Sequence, residues 1–424
     1  MAARCSLEIY VRHAWHLAGT VTAQVPERGI SAPATFEYDL EYLDAMADAL
    51  GVRDARAVSG RYPVAYDVAL DDRTWPAFLL DVMPAGAARR HWEGLFELPN
   101  NASSDWSVLE RGAGNPPGNL RVREAVSADG VATHPGFARS DVLERRDQFV
   151  EYARANGAPV SGSTGAGGDS PKFLLREDLN GRWHADGALS DERTLRCWLV
   201  KFPRTMQETD RLILEAEAGY HAVAARAGLR TEGKVTWESD CLFVPRFDRV
   251  VKDGSVDRLG LESLYSLCGI ADSGPPLRKE RQASAIARFA SAPGRELREF
   301  LLRDVLDVAL GNTDNHARNT SVLKWADGRI ELSPLYDFAP MFLDRRMIAR
   351  VNRWEGDADF PEWGRVADAL ATTLEPATTR RWLRELAAVV DGLPATMKDC
   401  GVPALVTARC QYRIERVARA LRAA

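Results

Sequence analysis

Residues 311–319, GNTDNHARN, crowd Asp, Asn, His and Arg side chains directly behind the apolar run Val305 to Leu310. Asp314 and Asn319 stand five apart. A protein-kinase catalytic loop uses this Asp-x4-Asn interval to present a base to an attacking hydroxyl and a hard oxygen ligand to Mg2+. Downstream, Asp337 follows a strand expected over 329–332 and precedes Phe338, as in a relative of the Asp-Phe-Gly that supplies a bridging magnesium ligand. Upstream, Ser161, Gly162, Ser163, Thr164, Gly165, Gly167, Gly168 and Ser170 lead into Lys172. Clustered glycines let consecutive backbone N–H groups approach a polyphosphate, and hydroxyls add donors. The Gly-Lys-Ser/Thr ending of a Walker A loop is missing. Lys201 sits inside the apolar WLVKFP, where its ammonium must snorkel outward or find an anion. The helix that follows carries Glu215 and Glu217, either of which could pair with it.

Each part also has a plainer role. Glycine-rich stretches form surface loops, strand lysines often face water, and Asp and Asn cap helices. Their order along the chain favours phosphoryl transfer: glycine loop, strand lysine, helix glutamate, apolar strand, helices, Asp-x4-Asn, strand, Asp-Phe.

These residues need elements to hold them. The chain has 424 residues, too long for one ordinary core, and its 46% apolar and 27% charged composition is that of a folded globular protein. A formal net charge of −5 disfavours direct nucleic-acid binding, although Arg409, Arg413, Arg416 and Arg419 form a basic stripe on the last helix. That stripe is either a solvated face or a phosphate contact. Six scattered cysteines fit neither a disulfide framework nor a zinc ribbon. With no signal peptide or membrane-length apolar run, a cytoplasmic protein is expected. Alternation from Ser6 to Val21 and from Thr35 to Tyr42 predicts paired strands. A helix break is expected at Pro84 and Gly86, a surface loop over 100–119, and a helix over 144–156. Strand, hairpin turn at Asn180-Gly181, strand, helix and strand follow to Val250. Beyond Gly254 the pattern is mostly helical, over 262–268, 277–290, 295–310, 363–370, 378–390 and 402–421.

In the segments ATFEYDLEYL (34–43), FLLDVMPAGAAR (78–89), GGDSPKFLL, WLVKFP, VPRFDR, GNTDNHARN and LYDFAPM, the chain resembles the HipA family of bacterial serine/threonine kinases, toxins of toxin–antitoxin pairs. The resemblance implies an α+β, bilobal protein-kinase-like fold. Residues 1–140 would form the family's amino-terminal subdomain, 141–250 a mixed α/β ATP-binding lobe, and 251–424 a mostly helical catalytic lobe. It further implies ATP and Mg2+ as cofactors, with Asp314 as base alongside His316 and Lys201, and Asn319 and Asp337 as magnesium ligands. Ser163, Thr164, Gly165, Gly167, Gly168, Lys172, Lys201 and Glu217 would surround the phosphates, and Val244, Phe247 and Asp248 the adenosine. Pro245 departs from the family, many of whose members carry an acid there. The activity implied is γ-phosphate transfer to a Ser or Thr of a cellular protein, an aminoacyl-tRNA synthetase in studied relatives, restraining growth. A HipB-like antitoxin is the implied partner and the route to any DNA contact. Two alternatives stand beside this reading. One is a catalytically weak nucleotide-binding module acting through a DNA-binding partner. The other is a dimetal phosphoesterase, suggested by Asp314-x-His316 but short of further histidine clusters.

Overall fold

Side chains that alternate across a strand need a partner sheet face to bury one set. In the computed structural model, which describes residues 2–67, 73–126, 134–156, 170–272, 274–357 and 360–424, the opening alternation becomes β1 (Ala3–Val11), β2 (Ala14–Ala23) and β3 (Ala34–Tyr38). With β4 (Leu120–Val122) they form an antiparallel sheet of order β3-β2-β1-β4. Leu7, Ile9, Val21 and Phe36 face its core. Helix α1 (Leu40–Ala45) follows β3, and the expected break at Pro84 separates α2 (Leu79–Val82) from α3 (Gly86–Leu95).

The stretch 100–119, expected as a loop, contains α4 (Asp105–Gly112), with Trp106, Val108 and Leu109 buried. Its anchor is long-range. Asp105 accepts hydrogen bonds from Ile30 N at 3.0 Å and Arg89 Nη1 at 2.6 Å, and Trp106 meets Trp75 edge-on with ring centres 5.7 Å apart. Turn-forming composition around it hid these contacts.

A second antiparallel sheet comprises β5 (Lys172–Asp178), β6 (Trp183–Ala185), β7 (Thr194–Lys201), β8 (Thr236–Glu238) and β9 (Cys241–Pro245), in the order β6-β5-β7-β9-β8. Helices α5 (Arg139–Leu143) and α6 (Asp147–Ala155) contribute Val142, Phe149 and Ala153 to the core shared with Phe173, Val200 and Phe243. Helix α7 (Glu208–Arg226) puts Leu214 against Leu242 and Val244.

The remainder is less uniformly helical than its sequence pattern suggests. A hairpin, β10 (Arg249–Lys252) and β11 (Ser255–Arg258), precedes a sheet of β12 (Gly260–Ser263), β13 (Ser321–Lys324) and β14 (Ile330–Leu332). The helix expected from Glu262 therefore shrinks to α8 (Leu264–Leu267). Residues 260–263 pair with 321–324, and the Glu262 carboxylate is claimed by distant donors: Gly60 N at 2.8 Å, Lys324 Nζ at 3.2 Å, and the Ser59 hydroxyl. Those bonds also lock the first sheet's unit onto the rest. The helices α9 (Lys279–Phe289), α10 (Pro293–Leu310), α11 (Trp363–Ala369), α12 (Pro376–Asp391), α13 (Leu393–Asp399) and α14 (Ala404–Arg422) complete the fold. Helix α10 runs through the middle of their core: Leu301, Val305, Leu306, Ala309 and Leu310 are fully buried, packed with Val406, Cys410, Ile414 and Val417 of α14. No helix among the described residues is long and apolar enough to cross a membrane. All six cysteines are unpaired.

Candidate active site

Strand register decides which side chains share a face. Lys172 pairs with Lys201, Leu174 with Leu199, and Leu199 with Val244, so these side chains project to one side of the second sheet while Phe173, Val200 and Phe243 fill the core on the other. The face they form lines a cleft of about 1000 Å3, closed by Leu261, Phe247 and Tyr336. It has an apolar slot at one end and the two lysines at the other.

Two ammonium groups side by side on neighbouring strands require anions. Helix α7 supplies one, because Asp210, Ile213, Leu214 and Glu217 recur at helical spacing and turn toward the strands. Glu217 Oε1 accepts from Lys201 Nζ at 2.5 Å. Glu215, two residues earlier, is exposed on the opposite side of the helix and cannot serve. Asp337 supplies the second anion, bonded to Lys201 and 3.4 Å from Lys172 Nζ. It stands at φ +50°, a left-handed conformation uncommon for a residue with a Cβ. Burial pulls the Lys201 ammonium down, but Asp337 and Glu217 outweigh it and hold its pKa above the ordinary lysine value. Burial likewise pushes Asp337 up, and Lys172 and Lys201 reverse that, leaving it well below the usual carboxylate range.

Asp314 is the odd anion. It lines the same polar cavity, about 550 Å3, as Lys172, Lys201, Glu217 and Asp337. Burial first, and then the charge of Asp337, raise its carboxyl to about 7. The loop that carries it begins where α10 stops at Gly311, whose φ of +72° caps the helix, and where an added Cβ would run into the Phe342 ring. Asn312 Nδ2 donates to Asp307 Oδ1 at 2.9 Å, Asn315 Nδ2 to Asn352 O at 2.9 Å, and Asn319 Nδ2 to Asp314 O at 2.7 Å. Tyr336 Oη donates to Arg318 O at 2.6 Å. The loop is thus pinned from three sides and braced by one bond within it.

His316 lies behind Asp314, its Nε2 3.4 Å from Asp314 Oδ1 and its ring stacked near Tyr265. It lines neither cavity. Burial, and then Arg318, lower its pKa to about 3, so the ring is neutral and orients the loop. Asn319 Oδ1 is buried and accepts no hydrogen bond among the described residues, which leaves a hard oxygen available beside Asp314. Among the described residues no three His, Cys, Asp or Glu side chains meet as metal ligands. A cation at Asn319 and Asp337 would take its other ligands from water or phosphate, as Mg2+ commonly does, and a dimetal centre lacks donors there.

Val244 and Phe247 line the apolar slot, with Phe247 5.6 Å from Tyr336 between ring centres. Asp248 also borders it, but its oxygens are already taken: Arg246 donates at 2.9 and 2.7 Å, Arg249 at 2.8 Å and Gly118 N at 2.7 Å. Burial would raise its pKa, yet Arg246 and Arg249 hold it at about 2. Its place is that of a structural anion, not a free adenosine contact. Ser163, Thr164, Gly165, Gly167 and Gly168 lie outside the described residues.

Sequence reasoning missed three contributors. Leu80 and Asp81, from the first sheet's unit, close the slot, with Asp81 accepting from Ser263 N at 2.8 Å and Arg318 Nη1 at 3.3 Å. Their segment, FLLDVMP, carried the family resemblance but no assigned role. Arg204 brings a third cation to the polar end, held by Asp210 at 2.8 Å and Asp344 at 3.2 Å.

An apolar slot thus opens onto buried lysines, a helix glutamate and two loop carboxylates within a mixed α/β fold of antiparallel sheets and helices. The HipA-like C-terminal domain matches residues 164–393, more than half of the chain, and the chain belongs to the HipA-like family. Among solved structures, HipA of Shewanella oneidensis MR-1, in its complex with HipB and operator DNA, aligns with a TM-score of 0.64 at 13% identity over 99% of this chain and 96% of its own. The Helicobacter pylori proinflammatory kinase CtkA aligns at a TM-score of 0.34 and 13% identity, covering 61% of this chain and 92% of its own. A comparison with curated proteins gives no match.

Proposed function

We propose that the chain is an ATP- and magnesium-dependent serine/threonine protein kinase with a bilobal, protein-kinase-like arrangement around its cleft. The observation that carries this reading is the meeting of Lys172, Lys201, Glu217, Asp337 and Asp314 in one cavity continuous with an apolar slot. The slot formed by Leu174, Leu199, Val244 and Phe247 suits a purine, and Lys172, Lys201 and Arg204 suit the phosphates. Mg2+, held by Asn319 and Asp337, would neutralise charge on the phosphate oxygens. Asp314, with a carboxyl at about 7, is poised to align a Ser or Thr hydroxyl and take its proton as the oxygen attacks the γ-phosphorus and the bond to the bridging oxygen of ADP breaks. Glu217 fixes Lys201, and His316 and Asn319 fix the loop. Family membership supports the reading, and the Shewanella complex supports a HipB-like, DNA-binding partner for this chain as well.

The test is Asp314→Ala with γ-labelled ATP and protein acceptors. The substitution is expected to abolish label transfer while nucleotide binding persists. A wild-type chain that binds nucleotide but labels no protein would refute the kinase and leave a binding module acting through its partner.

A further inference from the structure

A further cavity, about 1410 Å3, adjoins the loop that carries Asp314. Thr313 and Phe342 line it, while their chain neighbours Asp314 and Met341 line the polar end of the cleft. Neighbouring Cα atoms lie ~3.8 Å apart, so the two cavities flank the same loop, a separation that a few peptide residues can span.

The charge around it is one-sided. Arg350, Arg353, Arg409, Arg413 and Arg416 line it against a single carboxylate among the described residues, Asp307, which is already engaged by Asn312. Arg350 is committed inward, to Asp304 at 3.0 Å. The three arginines of α14 are not: they recur at i, i+4 and i+7 on one face, and among the described residues none has a carboxylate within ion-pair distance. Aromatic faces hold two of them instead. Arg413 lies 5.3 Å over Phe342 and Arg416 4.1 Å over Phe360, with Arg416 Nη1 donating to Tyr412 Oη at 3.0 Å. A guanidinium stacked by its face keeps N–H edges for a carboxylate or phosphate. In a chain of net charge −5 this grouping of the three α14 guanidiniums is local, and its place beside the loop that carries Asp314 favours an acidic peptide side chain over an extended nucleic acid.

We propose that this cavity selects the acceptor, by binding an anionic side chain, carboxylate or phosphoserine, a few residues from the Ser or Thr to be phosphorylated. The inference rests on the kinase reading above.

The test uses the full chain and labelled peptides that share one acceptor serine and differ only in a flanking block: neutral, Asp/Glu-rich, or phosphoserine-bearing. An RNA oligonucleotide of equal charge is the fourth probe. Fluorescence anisotropy is expected to show anionic peptides binding at least about tenfold tighter than the neutral one, the carboxylate and phosphoserine arms identifying the source of the charge. The triple variant R409E/R413E/R416E is expected to erase that preference, raising KM for anionic peptides without changing kcat or nucleotide affinity. Should the triple variant fold poorly, Arg409→Glu alone, at an exposed position, is expected to reduce the preference about two- to threefold. Equal binding of neutral and anionic peptides overturns the proposal. So does tightest binding of the oligonucleotide with loss in the variant. Selective peptide binding without transfer to any acceptor overturns the kinase reading, and with it the acceptor role, while the anion site stands.

Discussion

Replacing Asp314 by asparagine is expected to end the chemistry and, above neutral pH, to make the folded chain more stable. Burial and the charge of Asp337 lift this carboxyl from 3.8 to about 7 in the folded protein. In the unfolded chain it keeps the lower value. Between about pH 4 and about pH 7 the folded state therefore holds a proton that the unfolded state has released, and stability falls as pH rises through that window. The contribution is complete below about pH 4 and lost above about pH 7. A gap of about 3 units at ~1.4 kcal/mol each sets a ceiling of about 4 kcal/mol. Water penetration and local relaxation lower this, and about 1–3 kcal/mol is expected. Asparagine resembles the neutral carboxyl in shape and does not titrate. The two proteins should therefore have the same urea midpoint near pH 4 and diverge as pH rises, with Asp314→Asn ahead by its full margin at about pH 8. All other titrating groups are shared, so the difference isolates this one. A gap that does not vary with pH, or a wild type that is the more stable at about pH 8, would refute the claim that Asp314 is a destabilised anion facing Asp337.

Lys201→Met leaves Glu217 and Asp337 with one ammonium fewer in a buried site, and a loss of about 3–5 kcal/mol in urea unfolding is expected. Adding Glu217→Gln should restore part of that stability but no phosphate transfer; no restoration would mean that the two charges are not coupled. Gly311→Ala forces a Cβ onto a left-handed residue and against Phe342, and is expected to cost about 1–2 kcal/mol or more. Because the strain falls at the start of the loop, the transfer rate should drop further than nucleotide affinity, as single-turnover kinetics and equilibrium titration would show.

The placement of the candidate site residues was legible wherever it depended on local geometry. Lys201 could be placed on a strand because its apolar neighbours demand one, and Asp314 and Asn319 on one turn because five residues separate them. The break at Pro84 and the turn at Asn180-Gly181 follow from backbone restrictions that any chain obeys.

What the sequence by itself determined was the spacing of groups along each element, since 3.6 residues per helical turn and two per strand repeat are properties of the backbone. Tertiary structure alone decided which of those groups meet. Helix α7 presents Glu217 and not Glu215 because the sheet packs on that face, and Asp248 is absorbed by Arg246 and Arg249 before any ligand can use it. Leu80 and Asp81 reach the cleft from a unit about ninety residues upstream of Lys172, and the arginines of α14 become the wall of a cavity only when that helix lies against α10. A charge is recognised by the partners that desolvate or neutralise it, and long-range packing chooses those partners.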